Sequence, residues 1–396
     1  MKGKCFHGIA VLLLGWVLIV SPRPAAAGAA ARPGRAGVEK PPEDGGKKKK
    51  RRKKRRSRRG RKKKSKKGAH PFPKGDREKT FAEKLGEDYK RRYTDHFVVL
   101  YHADEEVVKN FIFRLEQSYK SVHRFSTKLG LKLSYPKEKL IVVFCPDYEE
   151  YSAQCEVFVR RKAPKVAAGL YWSAPANFSI FYDMSQNSVM KEFADKVRNL
   201  QDAARKATDR NTKKAKAKEA QWYQNRAKRY QQTNNRSVVQ HEVAHQLLYN
   251  FQVHKPGARN PQWFVEGMAT LFEPPPGRRG AGFNVINQRR LGAIRESIEK
   301  YTADELRTFI GAGAEHKGML SNEGYARAWA LVYYLVKRKH KQLPKYVESI
   351  KKRSRLKDMT PEEAVADFEK AFGKVDEKFV KQWAKYIRRL PFIPER

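Results

Sequence analysis

Hydrophobic and polar residues alternate along residues 90–187 in a way that predicts short strands separated by amphipathic helices. Predicted strands occupy 96–102, 139–144, 167–172 and 177–183, and predicted helices occupy 104–129 and 147–159. In the first helix the apolar residues recur at the spacing of one helical face, and Gly130 follows its end. Strands that alternate with helices indicate a layer of helices on a mixed sheet, with order beginning near Phe81.

The second half of the chain has the pattern of successive helices. From residue 241 onward, proline and glycine separate helical segments, at positions 256, 274–277, 311, 344, 361 and 373. Residues 188–232 are charged, rich in alanine and almost free of glycine and proline, which predicts one or two long exposed helices. A solvated spacer is favoured over a lid for that segment. The fold class is therefore α+β, a mixed sheet followed by a mostly α-helical C-terminal region.

The N-terminus resembles an export signal. Two early lysines precede the apolar stretch 8–20, which is too short for an ordinary membrane span, and Pro22 and Pro24 follow it. Ala25–Ala27 then offers small residues for cleavage after Ala27. We expect export to the periplasm or cell exterior. An uncleaved membrane anchor is the alternative.

Positive charge dominates the composition and predicts an anionic partner. The net charge is +44, and residues 47–67 alone contain 18 Lys or Arg and no acidic residue. Residues 28–75 have too few apolar side chains to form a core, so we expect a disordered basic tether. Such a segment is attracted to a polyanion or an anionic cell-surface polymer. The export signal argues against nucleic acid as that partner.

These composition shifts suggest domain boundaries. After the signal (1–27) and the tether (28–75) we expect an α/β part at 76–187, a charged helical insertion at 188–235, a ligand-bearing helix pair at 236–275 and a helical part at 276–396. Cys145 and Cys155 are the two cysteines beyond the signal. Two buried thiols are favoured over a disulfide, because a disulfide-dependent scaffold would contain more cysteines.

The segment His241-Glu242-Val243-Ala244-His245 matches the pattern HExxH. Residues four apart on a helix lie one above the other, so both imidazoles face one point and can bind Zn²⁺. Glu242 is placed to hold a water molecule and accept its proton. Two asparagines of the N-cap type, Asn234 and Asn235, suggest that this helix begins just before the motif.

A second helix supplies an acidic third ligand. Asn260 and Pro261 predict its start, and Glu266 lies inside it. Glu266 as third ligand leaves one coordination position open, as in catalytic zinc sites. The small residue Gly267 would let this helix approach the zinc helix closely. Glu273 is the rival ligand, although we expect it to be an ordinary surface acid.

HEVAH followed by WFVEGMAT resembles the gluzincin clan of zinc peptidases, with the peptidase-MA-like, thermolysin-like fold. The segment 322–336 (NEGYARAWALVYYLV) is similar to part of the aminopeptidase-N and leukotriene-hydrolase catalytic domains. This resemblance implies that Tyr325 donates a hydrogen bond in the transition state. As a whole, the chain is similar to uncharacterised exported bacterial proteins of this group. It lacks a GAMEN-like motif, and Thr270 stands where thermolysin-type enzymes have an aspartate that supports the histidines.

The function expected from these residues is zinc-dependent hydrolysis of peptide bonds, with Glu242 as general base. A noncatalytic protein that retains the zinc site as a relic, tethered to an anionic surface, is the alternative. Strand 177–182 is a candidate edge strand for an extended peptide substrate. Two further expectations are an exposed His316 and a set of solvated arginines at positions 278, 279, 289 and 290.

Overall fold

The computed structural model describes residues 71–164, 167–186, 188–256, 260–275, 285–313, 315–316, 318–353 and 359–393. The export signal and the run 47–67 lie outside these residues. Across the described residues the fold is α+β, with one mixed five-stranded sheet and twelve α-helices. Each of these helices is too short or too polar to span a lipid bilayer.

The sheet confirms the strands expected from the hydrophobic pattern. Its strands are β1 (Lys90–Tyr93), β2 (Phe97–Tyr101), β3 (Leu140–Cys145), β4 (Gly169–Trp172) and β5 (Phe178–Tyr182), in the spatial order β1-β2-β3-β5-β4. The pairs β2–β3 and β3–β5 are parallel, and the two outer pairs are antiparallel. The side chains of β2, β3 and β5 are all buried, as expected for strands covered on both faces.

The candidate edge strand 177–182 is internal. β5 lies between β3 and β4, and the two edges of the sheet are β1, whose side chains are exposed, and β4, whose side chains are buried. The alternation in residues 177–182 could not show this, because a buried internal strand can carry the same pattern as an edge strand.

Helices α1 (Arg77–Leu85), α2 (Glu105–Lys128) and α3 (Tyr148–Val159) accompany the sheet. Asp104 caps α2 by accepting hydrogen bonds from the backbone N–H groups of Glu106 and Val107. Order begins before Phe81. Phe72 is buried, and its ring contacts those of His96 and Tyr119.

The second part of the charged segment and the HExxH motif belong to one continuous helix. Helix α4 (Ser188–Lys206) is followed by α5 (Arg210–Asn250), which begins at the N-cap Asp209 and contains 41 residues. The expectation that a helix starts at Asn234 or Asn235 is wrong. Good helix formers on both sides of the asparagines outweigh their capping preference, because each costs only a few tenths of a kcal/mol inside a helix.

The remaining helices form the C-terminal region. They are α6 (Gln262–Thr270), α7 (Gln288–Ile294), α8 (Ala303–Gly311), α9 (Asn322–Arg338), α10 (Leu343–Lys352), α11 (Pro361–Phe372) and α12 (Glu377–Arg388). α6 packs most closely on α9. A Cβ atom placed on Gly267 would lie 2.4 Å from Cγ2 of Val332 and 2.5 Å from the carbonyl oxygen of Ala328. Gly267 therefore permits close approach to α9, whereas the sequence suggested approach to the HExxH helix.

Two smaller expectations are also resolved. Cys145 and Cys155 are buried free thiols, as favoured above. Asn260 does not cap α6, whose N-cap is Pro261. The Asn260 side chain instead bonds both the N–H and the carbonyl of Lys255, so it closes the turn that leads from α5 to α6.

Candidate metal centre

Three side chains converge from two helices to form a buried cluster. α5 places His241 and His245 one turn apart, and α6 brings Glu266 against them. One ligand atom from each residue lies within 4.8 Å of the other two. The Nε2 atoms of the histidines are 3.0 Å apart, and Oε2 of Glu266 lies 3.2 Å from His241 Nε2 and 3.4 Å from His245 Nε2.

This geometry fits a tetrahedral metal ion. Zinc–nitrogen and zinc–oxygen bonds of about 2.0–2.1 Å at tetrahedral angles separate neighbouring ligand atoms by about 3.3 Å. His241 Nδ1 lies 3.1 Å from Oε1 of Glu273, so donation from Nδ1 leaves Nε2 with its lone pair toward the cluster. Lone pairs of two imidazoles and a carboxylate then face one point, which requires a positive charge there. The cluster is thus compatible with a zinc site.

The pKa values of His241 and Glu266 in the metal-free cluster also indicate that the site favours a positive charge. Burial opposes ionisation of His241, but its hydrogen bonds with Glu266 and Glu273 prevail and raise its pKa to about 9. Burial alone would raise the pKa of Glu266, but the adjacent His245 and His241 prevail and lower it to about 2. Glu266 is thus a fully buried carboxylate that stays ionised, and such a group is well suited to bind a cation.

Glu242 lies beside the cluster with one oxygen fixed and the other unengaged. Its Oε2 accepts a hydrogen bond of 2.9 Å from the backbone N–H of Tyr171, on the edge strand β4. Within the described residues, Oε1 has no hydrogen-bond partner although it is buried. Burial raises the pKa of Glu242 to about 8, and Glu266 adds to that rise. Such a group can exchange a proton near neutral pH.

Glu273 is a buried partner of His241, which corrects the expectation of a surface acid. Its carboxylate is only 4% exposed. Oε1 faces His241 Nδ1, and the Arg290 guanidinium donates to both carboxylate oxygens at 2.6 and 3.0 Å. Arg290 lowers the pKa of Glu273 well below its ordinary value against the effect of burial. Glu273 therefore orients a ligand histidine and is not itself a ligand in the cluster.

Arg290 is likewise buried, which corrects the expectation of a solvated rim. It is 1% exposed and reaches Glu273 from α7. Asn287, the N-cap of α7, donates to Oε2 of Glu273 at 2.7 Å and to the carbonyl of Thr270 at 3.1 Å. Glu273 thus takes the supporting role that the resemblance would assign to the position of Thr270, whose hydroxyl bonds the carbonyl of Gly267.

Glu266 is held by its own helix. Gln262, one turn earlier on α6, donates to Oε1 of Glu266 at 2.7 Å. This bond leaves Oε2 directed at the two histidines. Side chains four apart on a helix are neighbours, so the Q-x-x-x-E spacing in the sequence was a usable signal for this support.

Tyr325 lies next to the cluster, at the start of α9. Its ring centroid is 5.9 Å from that of His241, and the Arg290 guanidinium covers the tyrosine ring at 4.9 Å. The side chain is 1% exposed. Burial, together with Glu266 and Glu242, raises its pKa well above the ordinary value, so the hydroxyl keeps its proton and can donate it in a hydrogen bond.

His316 stands apart from the metal ligands. It is exposed and lines a cavity of about 440 Å³ with Asp304 and Arg327, among other residues, and no metal ligand lines that cavity. Arg278 and Arg279 lie outside the described residues. Arg289 is partly exposed.

Sequence reasoning missed Tyr171 and the pairing of Glu273 with Arg290. The Tyr171 contact is made by a backbone N–H, which any non-proline residue possesses, so its residue type carries no signal. Glu273 follows the end of α6, whereas Arg290 lies in α7, so only the tertiary fold brings the two side chains together.

The fold and the site define an α+β protein with a buried His–His–Glu cluster that could hold a metal ion. A family model described as a protein of unknown function, DUF1570, matches residues 235–357. The matched segment contains the three candidate ligands, Glu242 and Tyr325. Comparison with curated proteins gave no match.

Proposed function

We propose that this protein is a zinc-dependent metallopeptidase of the gluzincin type that hydrolyses peptide bonds after export. The observation that carries the proposal is the unengaged Oε1 of Glu242 beside three converging ligand atoms. A site that only held a metal would need His241, His245 and Glu266. It would not need a further buried acid with a free oxygen and a pKa of about 8.

Zinc in this site would supply a Lewis acid that polarises the scissile carbonyl and makes water more acidic. The protein residues supply the rest. Glu242 takes a proton from the attacking water on Oε1 and later transfers it to the leaving amine, while the Tyr171 N–H holds Oε2 in place. Tyr325 donates a hydrogen bond to the carbonyl oxygen as negative charge develops on it.

The edge of β4 supports a polypeptide as substrate. An extended peptide can pair with an exposed strand edge through main-chain hydrogen bonds. β4 is one of the two edge strands, and it is the one whose backbone reaches the site, since its Tyr171 N–H donates to Glu242. A peptide aligned along β4 would therefore lie beside the candidate metal centre.

The substitution Glu242→Gln tests the proposal. It keeps the shape of the side chain but removes the proton acceptor, so hydrolysis should fall about 10²–10⁴-fold. The measurement is the release of new amino termini from a mixture of denatured polypeptides. Bound zinc, measured by elemental analysis, should stay at one per chain. Glu266→Ala is the matched control that should lose zinc itself.

Two outcomes would contradict the proposal. Full hydrolysis by Glu242→Gln would mean that the base lies elsewhere. Stoichiometric zinc in wild-type protein without hydrolysis of any member of the mixture would favour the noncatalytic alternative.

A further inference from the structure

His254 is a fully buried histidine that the mechanism above does not use. Its side chain has no exposure to solvent, and within the described residues neither of its ring nitrogens has a hydrogen-bond partner. Buried polar groups are normally paired, because an unpaired one loses its hydrogen bonds with water and destabilises the fold. Two unpaired nitrogens in the core therefore point to a further role for this side chain.

The end of α5 directs His254 back against the helix that carries two candidate ligands. Gln252 has a φ of +56°, in the left-handed region, and its N–H donates to the carbonyl of Tyr249 at 3.0 Å. The N–H groups of Val253 and His254 both donate to the carbonyl of Leu248, at 2.8 and 3.2 Å. The bonds from Gln252 and Val253 form a Schellman motif, a common way for a helix to end at a left-handed residue. His254 is thus held by the backbone beside the last turns of α5.

The His254 ring lies between α5 and α6. Its centroid is 5.2 Å from that of Tyr249, which follows His245 by one turn on α5. It is 5.4 Å from the centroid of Phe264, two residues before Glu266 on α6. Burial and, to a smaller extent, the nearby His245 lower the pKa of His254 to about 3, against the effect of Glu266. The ring is therefore neutral and offers one N–H donor and one acceptor nitrogen.

His245 has a complementary requirement on the side of its ring that faces away from the cluster. Its Nε2 lies 3.0 Å from His241 Nε2 and 3.4 Å from Oε2 of Glu266, so metal binding through Nε2 places the ring proton on Nδ1. Across the part of the chain that the structure describes, this buried Nδ1 has no hydrogen-bond partner. A histidine that binds a metal almost always donates its second N–H. His241 has such a partner in Glu273.

Pairing His245 with His254 would satisfy both side chains. His245 would supply the donor and His254 the acceptor, so each would lose the penalty of an unpaired buried nitrogen. Without a metal, nothing requires the His245 proton to be on Nδ1, which explains why the two rings are not bonded in the metal-free protein. A neutral acceptor also avoids the cost of burying another charge beside Glu266.

We infer that His254 is a positioning residue that accepts a hydrogen bond from Nδ1 of His245 when the metal is bound. It thereby fixes the tautomer and the orientation of that ligand, as Glu273 does for His241. This inference rests on the metal centre of the proposed function and does not require peptide hydrolysis.

The substitution His254→Phe tests this role, because it keeps an aromatic ring and removes both nitrogens. Zinc affinity, measured by competition with a chelator, should fall about 10–100-fold. The Tm of the chelated protein should not fall, since the apolar ring removes two unpaired polar groups from the core. A residue that contributed only packing would lower the stability of the chelated protein as well, so the two measurements separate the roles.

Two conservative variants should restore zinc binding if His254 acts as an acceptor. His254→Asn and His254→Gln carry an amide oxygen near the positions of Nδ1 and Nε2, respectively. We expect one of them to bind zinc within about threefold of wild-type affinity, and that variant identifies the accepting nitrogen. They also serve if circular dichroism shows that His254→Phe misfolds. Tyr249→Phe is the matched control. It removes a hydroxyl from the other ring that contacts His254, and zinc affinity should not change.

Four results would overturn the inference. They are wild-type zinc affinity in His254→Phe, a Tm of the chelated variant that falls together with its zinc affinity, amide variants that bind no better than His254→Phe, and an equal loss in Tyr249→Phe. The last result would assign the support to the tyrosine hydroxyl. Wild-type protein that binds no zinc would overturn the proposed function as well, whereas zinc-loaded, active wild type with any of the four results would overturn this inference alone.

Discussion

At the scale of single residues, the carboxylate of Glu273 joins the His241 imidazole to the Arg290 guanidinium. All three side chains are buried, and Glu273 contacts the other two directly. A carboxylate that holds the distal nitrogen of a ligand histidine fixes its tautomer and raises its basicity. Arg290 keeps that carboxylate ionised, so it acts on the metal centre through Glu273 and His241.

The substitution Arg290→Gln should weaken both folding and metal binding. It leaves the Glu273 carboxylate buried without its cation, which costs about 3–5 kcal/mol in the free energy of unfolding. Zinc affinity should fall about 10–100-fold, as is typical when the support of a ligand histidine is removed. Competition with a chelator measures the affinity, and urea unfolding measures the stability.

Arg295→Gln is the matched control. It removes the same group near the end of α7, where the guanidinium donates to the carbonyl of Leu390. Zinc affinity should not change in that variant. Wild-type affinity in Arg290→Gln would show that Glu273 orients His241 without help from the arginine.

Tyr325 offers a second test at this scale. Tyr325→Phe removes one hydroxyl and little packing, so zinc content and folding should persist. The value of kcat should fall about 10²-fold, the scale of a lost oxyanion donor. Tyr333→Phe, on the same helix and also buried, should leave kcat unchanged. Normal kcat in a zinc-loaded Tyr325→Phe variant would make Tyr325 a packing residue.

The candidate ligands were predictable from sequence, while most of their supports were not. His241, Glu242 and His245 are close on one helix, so their convergence follows from helix geometry alone. Glu266 was predicted as the acidic residue of a second helix, and Tyr325 by resemblance to a known motif; both lie at the cluster. Arg290 looked like one of several surface arginines, because its burial depends on a helix packing that local pattern does not encode.

At the scale of elements, the metal centre depends on the close packing of α6 on α9. α6 carries Glu266 and α9 carries Tyr325, and Gly267 lets the two helices meet at the backbone of Ala328. Four of the five strands were predicted, since their apolar runs are clear, whereas β1, with the sequence Lys-Arg-Arg-Tyr, has no such run. Prediction also failed where one helix serves two environments, as in α5, which runs from an exposed segment into the core.

Gly267→Ala should destabilise the protein and disturb the site. The added methyl group would meet Val332 and the Ala328 carbonyl well inside contact distance, so the helices must separate. Overpacking of this kind costs about 1–3 kcal/mol. Thermal unfolding measures the loss. Gly292→Ala, where only the Phe392 ring lies close, at 3.1 Å, is the control and should be nearly neutral. Equal stability of the two variants would mean that α9 shifts to accommodate the methyl group with no loss in the free energy of unfolding.

At the scale of the whole molecule, metal binding should contribute to the stability of the fold. Three ligands from two separate helices come together only in the folded state, so bound zinc stabilises that state relative to the unfolded chain. At a free zinc concentration about a thousandfold above Kd, the gain is about 4 kcal/mol. For a folded part of about 300 residues, chelation should therefore lower Tm by roughly 6 °C.

The size of that stabilisation should grow as pH rises from 6 to 9. In the metal-free protein the pKa of Glu242 is raised to about 8 and that of His241 to about 9. Between the unfolded and folded pKa values the folded state holds protons that the unfolded state has released, so metal-free stability declines as pH rises. Glu266, with its pKa lowered from 4.5 to about 2, contributes stability that is lost only as pH falls below about 4.5, so its contribution is constant in this window.

Zinc binding at the site should have the opposite dependence on pH. The histidines must be neutral to bind it, so metal affinity increases as their protons leave. The difference in Tm between zinc-loaded and chelated protein should accordingly widen from pH 6 to pH 9. Glu242→Gln, which keeps all three candidate ligands, should reduce the widening, since it removes one of the two groups whose protons the metal-free site retains. A difference in Tm that stays constant or narrows over this range would show that zinc does not bind at the His241 cluster.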